Sequence, residues 1–128
     1  MRALLDTNAF LWAMLDDPRL PKRAREILRD KSNALSVSVT AAWEIIIKVQ
    51  VGKLALPDTP SRFIADRMSL FGFESLPIEL RHVLHVENLP RHHRDPFDRI
   101  LIAQGLLEQL PILTADPIFA RYGVEVIW

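Results

Sequence analysis

The sequence predicts a single α/β domain over residues 1–128, with a mostly parallel central sheet of about five strands and helices on both faces. Three observations predict it. Short aliphatic runs alternate with helical stretches along the whole chain. The strand candidates run directly into polar residues suited to capping a helix or making a turn, as in Asp6-Thr7-Asn8, Ser38-Val39-Thr40 and Ala115-Asp116-Pro117. No internal repeat, low-complexity tract or linker interrupts the pattern.

Arg2–Leu5 reads as a short buried strand that ends at Asp6. Ala9–Leu15 is an apolar helix, stopped by Asp16-Asp17-Pro18. Pro21–Lys31 is a second helix, basic on one side, with Ala24, Ile27 and Leu28 at core spacing. Ala34–Val37 is the second strand, and Ser38 or Thr40 caps a helix over Ala41–Val51 that closes at Gly52. That helix is apolar nearly all round, through Trp43, Ile45, Ile46, Ile47 and Val49, yet carries Glu44 in its middle. A further helix covers Ser61–Leu70 and breaks at Gly72. Phe73–Leu76 is a short third strand, and Pro77 opens a helix to Val86. Asp95 then caps the long helix Pro96–Leu110, with proline at the first helical position, where no N–H is needed. Pro111–Thr114 is the fourth strand, Ile118–Tyr122 a helical turn closed by Gly123, and Val124–Trp128 the last strand.

Bulk composition narrows the function classes. Hydrophobic residues make up 49% of the 128, which excludes a disordered chain. The chain has no cysteine, so a disulfide framework, a thiolate metal site and a cysteine nucleophile are all excluded. This composition fits a reducing cytoplasm. The N-terminal apolar run is broken by Asp6 and Asn8, unlike a signal peptide, and no apolar run approaches the roughly 18 residues of a membrane span. Lys plus Arg and Asp plus Glu balance at 16 each, so any nucleic-acid contact must come from a local patch. One candidate patch exists, because Arg81, His82, His85, Arg91, His92, His93, Arg94 and Arg99 fall within 19 residues.

The acids carry the chemical signal. In an open parallel sheet, sites form beyond the carboxyl ends of the strands. Asp6 follows the first strand and Asp116 the fourth, while Asp98 opens the helix that feeds the fourth. Glu44 lies about two turns into the helix after the second strand. Each has a local role to offer: a cap or turn for Asp6 and Asp116, a favourable helix dipole for Asp98, and a surface pair with Lys48 for Glu44. Together, with no matching row of lysines, they repel one another unless a cation joins them. Oxygen-only ligands favour Mg²⁺ or Mn²⁺ over Zn²⁺. The chemistry this implies is metal-dependent phosphodiester hydrolysis, which requires no serine, cysteine or histidine nucleophile.

At these residues the chain resembles a PIN domain, and within that family the VapC-type toxins of bacterial and archaeal toxin–antitoxin pairs. The resemblance rests on Leu4-Leu5-Asp6-Thr7-Asn8, Trp43-Glu44-Ile45, the run from Asp95-Pro96-Phe97-Asp98-Arg99 to Gln104, and Leu113-Thr114-Ala115-Asp116. It implies that Asp6, Glu44, Asp98 and Asp116 form the family's acidic quartet, both catalytic and metal-binding. Thr114 and Asn8 would support it, and Asp95 would be a helix cap or an extra ligand. It further implies a Mg²⁺-dependent endoribonuclease, with Mn²⁺ as substitute, that is held inactive by a cognate antitoxin and forms a homodimer. Arg91, His92, His93, Arg94 and Arg99 would then meet the RNA substrate, since phosphate contacts need only local positive charge. The antitoxin is expected against Trp12, Met14, Leu15 and the helix Pro21–Lys31, where apolar surface exceeds the needs of one short helix.

Three other readings stay open. His82, His85, His92 and His93 offer a zinc site, if the fold brings loop and helix together. A catalytically inactive interaction module would require a broken quartet. A hydrolase of a small phosphate ester would require a deep closed pocket instead of an open groove flanked by positive charge.

Overall fold

Alternating side chains of the first strand divide the core in two. In the computed structural model, which describes residues 1–128, β1 (Arg2–Leu5) sends Ala3 and Leu5 into one apolar cluster and Leu4 into another. A period of two forces this split in any strand buried on both faces. β2 (Ala34–Ser38), β3 (Glu74–Leu76), β4 (Ile112–Leu113) and β5 (Val126–Ile127) complete a sheet ordered β3-β2-β1-β4-β5. Every neighbouring pair is parallel, so the sheet is parallel throughout.

The helices sort onto the two faces by these clusters. α1 (Thr7–Met14), α2 (Lys22–Arg29), α3 (Val39–Gln50) and α4 (Pro60–Phe71) supply Phe10, Leu28, Ile45 and Phe63 to the Ala3/Leu5 side. α6 (Pro96–Glu108) supplies Leu101, Ile102 and Ala103 to the Leu4 side, where α5 (Leu80–His85) packs on α6. No helix is long and apolar enough to cross a membrane.

Two features lock α6 onto the sheet. A Cβ at Gly105 would sit 3.0 Å from Ile112 Cδ1 and from Val124 Cγ2, so any larger residue would force those side chains to give way for the helix to lie this close. Gln104 is fully buried; it accepts the Ser38 hydroxyl at 2.6 Å and donates to the Pro77 carbonyl at 3.2 Å.

Several boundaries differ from expectation for local reasons. α1 and α3 begin earlier than Ala9 and Ala41, because Asp6 and Ser38 cap them directly, accepting the Ala9 and Thr40 N–H groups. The helix expected from Pro77 begins at Leu80: the Pro77 carbonyl is committed to Gln104, and the Glu79 N–H is capped by His82 Nδ1 at 2.9 Å. Its far end, Val86–Asn88, is a 3₁₀ turn. α6 stops at Glu108, where Gln109 turns left-handed at φ 55°. Helix α3 is also less uniformly buried than its sequence suggests. Ala41, Glu44 and Ile45 are buried, whereas Trp43 is 53% exposed, with its ring 5.1 Å from Phe97.

The chain builds outward from β1 through β2 to β3, then returns to lay β4 on the other side of β1. The crevice at such a reversal lies beyond the carboxyl ends of β1 and β4. Asp6 and Thr114 stand at those two ends.

Candidate active site

Asp6 is fixed from both sides. One oxygen accepts the Ala9 N–H at 2.7 Å as the cap of α1, and the other accepts the Thr114 hydroxyl at 2.5 Å. Thr114 Oγ1 in turn receives the Asp116 N–H at 3.0 Å, so one hydroxyl sets both the acid after β1 and the loop after β4. Asp116 itself is exposed and turns one oxygen back to the Ile118 N–H at 3.0 Å. Burial pushes the Asp6 carboxyl up to about 6; the Thr114 and Ala9 hydrogen bonds oppose that rise, and the charges of Asp116 and Glu44 add to it.

Glu44 reaches the same place from α3. It is buried, accepts the Thr7 hydroxyl at 2.8 Å, and pairs with Lys48 at 2.7 Å. The local pair expected from the four-residue spacing is therefore present, but it sits on the cleft and not on a remote surface. Asp95 caps α6 as expected, accepting the Phe97 and Asp98 N–H groups at 2.9 and 3.0 Å. Asp98, in the first turn, faces His93 Nε2 at 3.1 Å. Its carboxyl is also pushed up to about 6, first by burial and then by the charge of Asp95, with His93 acting the other way.

These side chains share one cleft of about 380 Å³, whose wall includes Asp6, Glu44, Asp95, Asp98 and Asp116, together with Asn8 and Lys48. Four separate stretches of chain thus deliver five carboxylates and a single lysine to one hollow. No three of those carboxylates bring their oxygens within 4.8 Å of one another; the grouping that does is Glu79, His82 and Glu108, on the α5–α6 side. There both His82 nitrogens are engaged, one by the Glu79 N–H and the other by Glu108 at 2.9 Å, and Arg81 bridges the two glutamates. That group is an ion-pair pin between helices with no free imidazole lone pair to offer a metal. The zinc reading fails with it, since the four histidines do not converge: His85 takes no part in this group, and His92 and His93 pack their rings on Tyr122.

Next to the acid cleft lies a basic hollow of about 660 Å³, walled by Arg91, His92, His93, Arg94 and Arg99 among others. Arg91 and Arg94 are exposed there. Arg99 is differently placed: its guanidinium donates to the Pro90 and Val86 carbonyls and to the Tyr122 hydroxyl, which ties the loop down. His93 is likewise held on both ring nitrogens, by Tyr122 and by Asp98.

A family profile described as PIN domain matches residues 3–125. The chain belongs to the PIN domain family. It is 34% identical over 85 residues to Ribonuclease VapC16 of Mycobacterium tuberculosis, a match covering 62% of this chain and 60% of that protein. The match thus spans less than two thirds of that relative's length. The PIN fold recurs in VapBC2 from Rickettsia felis bound to a promoter DNA fragment (TM-score 0.73, 16% identity, 100% of this chain and 99% of that chain). It recurs again in DNA-bound VapBC from Salmonella typhimurium (TM-score 0.72, 18% identity, 99% of this chain and 97% of that chain).

Sequence reasoning missed three residues of this PIN domain's site. Thr7 and Tyr122 gave no signal, because their partners lie 37 residues away at Glu44 and 29 residues away at His93. Lys48 was visible as a pair for Glu44, but nothing in the sequence put it in the cleft wall. The apolar surface assigned to Trp12, Met14 and Leu15 is smaller than expected. Met14 belongs to the core, and Trp12 is half-buried between Trp128 and the Arg19 guanidinium.

Proposed function

We propose that this PIN domain is a divalent-metal-dependent endoribonuclease of the VapC type, the toxin of a toxin–antitoxin pair. The observation that carries the reading is the meeting of Asp6, Glu44, Asp98 and Asp116 in one cleft with Lys48 as the only cation in its wall. A donor set of carboxylate oxygens suits Mg²⁺, with Mn²⁺ as substitute. Burial is the first cause of the upward push on Asp6 and Asp98, and the neighbouring carboxylates add to it. When bound, the metal supplies Lewis acidity toward a phosphodiester and an attacking water. The chain's own residues do the rest. Asp6, Glu44, Asp98 and Asp116 would hold the ion, with Asp95 capping α6 so that Asp98 is presented. Thr114 and Thr7 orient Asp6 and Glu44 through their hydroxyls. Asn8, on the cleft wall, is a supporting group. Arg91 and Arg94, exposed beside the cleft, would take the phosphates flanking the scissile bond, with His92 at the same wall.

A polymer substrate is favoured over a small phosphate ester because the basic hollow adjoins the acid cleft at the His93–Asp98 contact. The 34% identical relative that bears the name ribonuclease supports RNA as the polymer. An intact quartet argues against a module that only binds partners.

The fold shared with VapBC complexes supports an antitoxin partner. The proposal includes a homodimer in the cytoplasm, as the resemblance to VapC-type toxins implies. For the antitoxin, the groove of about 290 Å³ between α1, α2 and α4 suits an amphipathic segment better than Trp12 does. It offers the 67% exposed Leu70 beside the half-buried Ala13 and Phe71, with Arg25, Arg29 and Arg67 at its edges. Leu70→Glu should weaken antitoxin binding, and Trp12→Ala should weaken it less. A monomeric mass in light scattering at micromolar concentration would contradict the homodimer.

RNA cleavage by the purified protein in Mg²⁺, in EDTA, and after Asp6→Asn, Asp98→Asn or Asp116→Asn tests the catalytic reading. Each change should lower cleavage by orders of magnitude while the fold is kept. An Asp98→Asn protein that cleaves at the wild-type rate would sink it.

A further inference from the structure

A closed chain of hydrogen bonds ends on Asp98. The Tyr122 hydroxyl receives an N–H from Arg99 Nη1 at 3.1 Å and the backbone N–H of His93 at 3.2 Å. A hydroxyl has two lone pairs and one proton. With both lone pairs taken, its proton can go only to its third neighbour, His93 Nδ1, at 2.6 Å. A protonated Nδ1 would need a third lone pair on the same oxygen. The count leaves Nδ1 bare and puts the ring proton on Nε2, the nitrogen that faces Asp98 Oδ2 at 3.1 Å.

We infer that His93 is a positioning residue for Asp98, with its tautomer dictated by Tyr122. The Nε2–H donor holds one carboxylate oxygen in a set direction. The parts behind it are rigid: Tyr122 is buried at 7% exposure, and Arg99 is tied to the Pro90 and Val86 carbonyls as well as to the phenol. A donor fixed in this way removes the freedom of an acid to rotate away from a ligand, so the ligand need not supply that ordering itself. His93 also lines the basic hollow, whereas Asp98 lines the acid cleft. The same ring therefore sets the register between phosphate-facing and metal-facing groups.

This inference rests on the proposed function, in which Asp98 holds a divalent ion. A plain staple between the loop and α6 would account for the same bonds, and the two roles have different consequences. Loss of a staple lowers stability alone; loss of a positioning group also weakens the metal.

Tyr122→Phe is the decisive variant, because it keeps the ring, touches neither Asp98 nor the cleft, and frees Nδ1 to take the proton. His93→Ala removes the donor, and His93→Gln offers an amide N–H in its place. Both are at a half-buried position and remain informative if Tyr122→Phe fails to fold. Two measurements need no RNA: ¹⁵N resonances of the His93 ring in metal-free protein, and Mn²⁺ affinity by calorimetry. The wild type should show the Nε2–H tautomer, and Tyr122→Phe should move toward Nδ1–H. Mn²⁺ should bind about tenfold more weakly to Tyr122→Phe and His93→Ala, with partial recovery in His93→Gln. A wild-type ring protonated at Nδ1 overturns the inference, as do variants that lose melting temperature yet keep Mn²⁺ affinity within about twofold. A wild-type protein that takes up no Mn²⁺ is a separate result: it removes the metal reading and this role with it.

Discussion

Asp95 and Asp98 are three positions apart and carry the same group, yet their surroundings separate them. Asp95 spends one oxygen on two backbone N–H groups. Asparagine is an equally good cap, so Asp95→Asn should melt within about 0.5 kcal/mol of the wild type and lose far less RNA cleavage than Asp98→Asn. Asp98→Asn should leave the metal-free protein as stable or slightly more so, because it relieves repulsion with Asp95 and Glu44. Melting curves and cleavage rates of the two variants side by side check this. The raised carboxyls of Asp6 and Asp98 also give the metal-free protein a pH signature. Below about 3.8 both groups carry their protons folded and unfolded alike; between there and about 6 the unfolded chain releases them and the folded chain does not. Stability therefore falls as pH rises through that window, by roughly 3 kcal/mol for a group with the Asp6 shift. Asp17, lowered to about 2 by its hydrogen bonds to Arg19, acts with the opposite sign but at lower pH, between about 2 and 3.8. Thermal melts in EDTA should give a higher melting temperature at pH 5 than at pH 7. Asp6→Asn should flatten that difference, and Mg²⁺ should restore stability at pH 7.

α6 is the element that holds the site together. Its first turn presents Asp98, and its middle must lie flat on β4 for that turn to reach the β1 edge. The sequence announces the start of this helix through Asp95 and Pro96, but its depth is set by Gly105 and Gln104. Gln104→Leu keeps the volume close while removing the acceptor for the Ser38 hydroxyl and the donor to the Pro77 carbonyl. The buried Ser38 hydroxyl would be left without an acceptor and the part-buried Pro77 carbonyl would lose its donor, so the change should cost about 1–2 kcal/mol in urea unfolding. An unchanged midpoint would mean that the pin contributes nothing. Because Ser38 also caps α3, the helix that carries Glu44, metal affinity should fall along with stability.

Across the whole molecule the formal charge is zero, so no global field draws a nucleic acid in. Affinity must then come from a few phosphate contacts beside the cleft, and those leave a measurable trace. Replacing Arg91 and Arg94 together by Ala should make the dependence of log affinity on log salt shallower by about 1.4 for a single-stranded RNA, roughly 0.7 for each lost contact. Binding of a catalytically disabled Asp98→Asn protein, measured across a salt series with and without these substitutions, reads that slope. An unchanged slope would move the phosphate path away from the basic hollow.

What the sequence determined by itself was whatever local chemistry writes into consecutive residues. Alternating aliphatic and helical runs specify an α/β chain, and caps such as Asp6, Ser38 and Asp95 mark helix starts to within two or three residues. Acids placed directly after strands announce a site at the sheet's edge. A mostly parallel sheet follows from the same alternation, since most returns cross through a helix; that every pair is parallel is a finding of the structure. Tertiary structure alone decided which groups meet. Thr7 finds Glu44, Thr114 finds Asp6 across 108 residues, and Tyr122 finds His93. It also moved Arg99 and His93 from a solvated basic patch into the scaffold behind Asp98, and it drew Met14 into the core. A single hydroxyl or guanidinium in a sequence carries no record of its partner. Its role is fixed only when the sheet order brings distant strand ends together and burial favours polar atoms that find a bond.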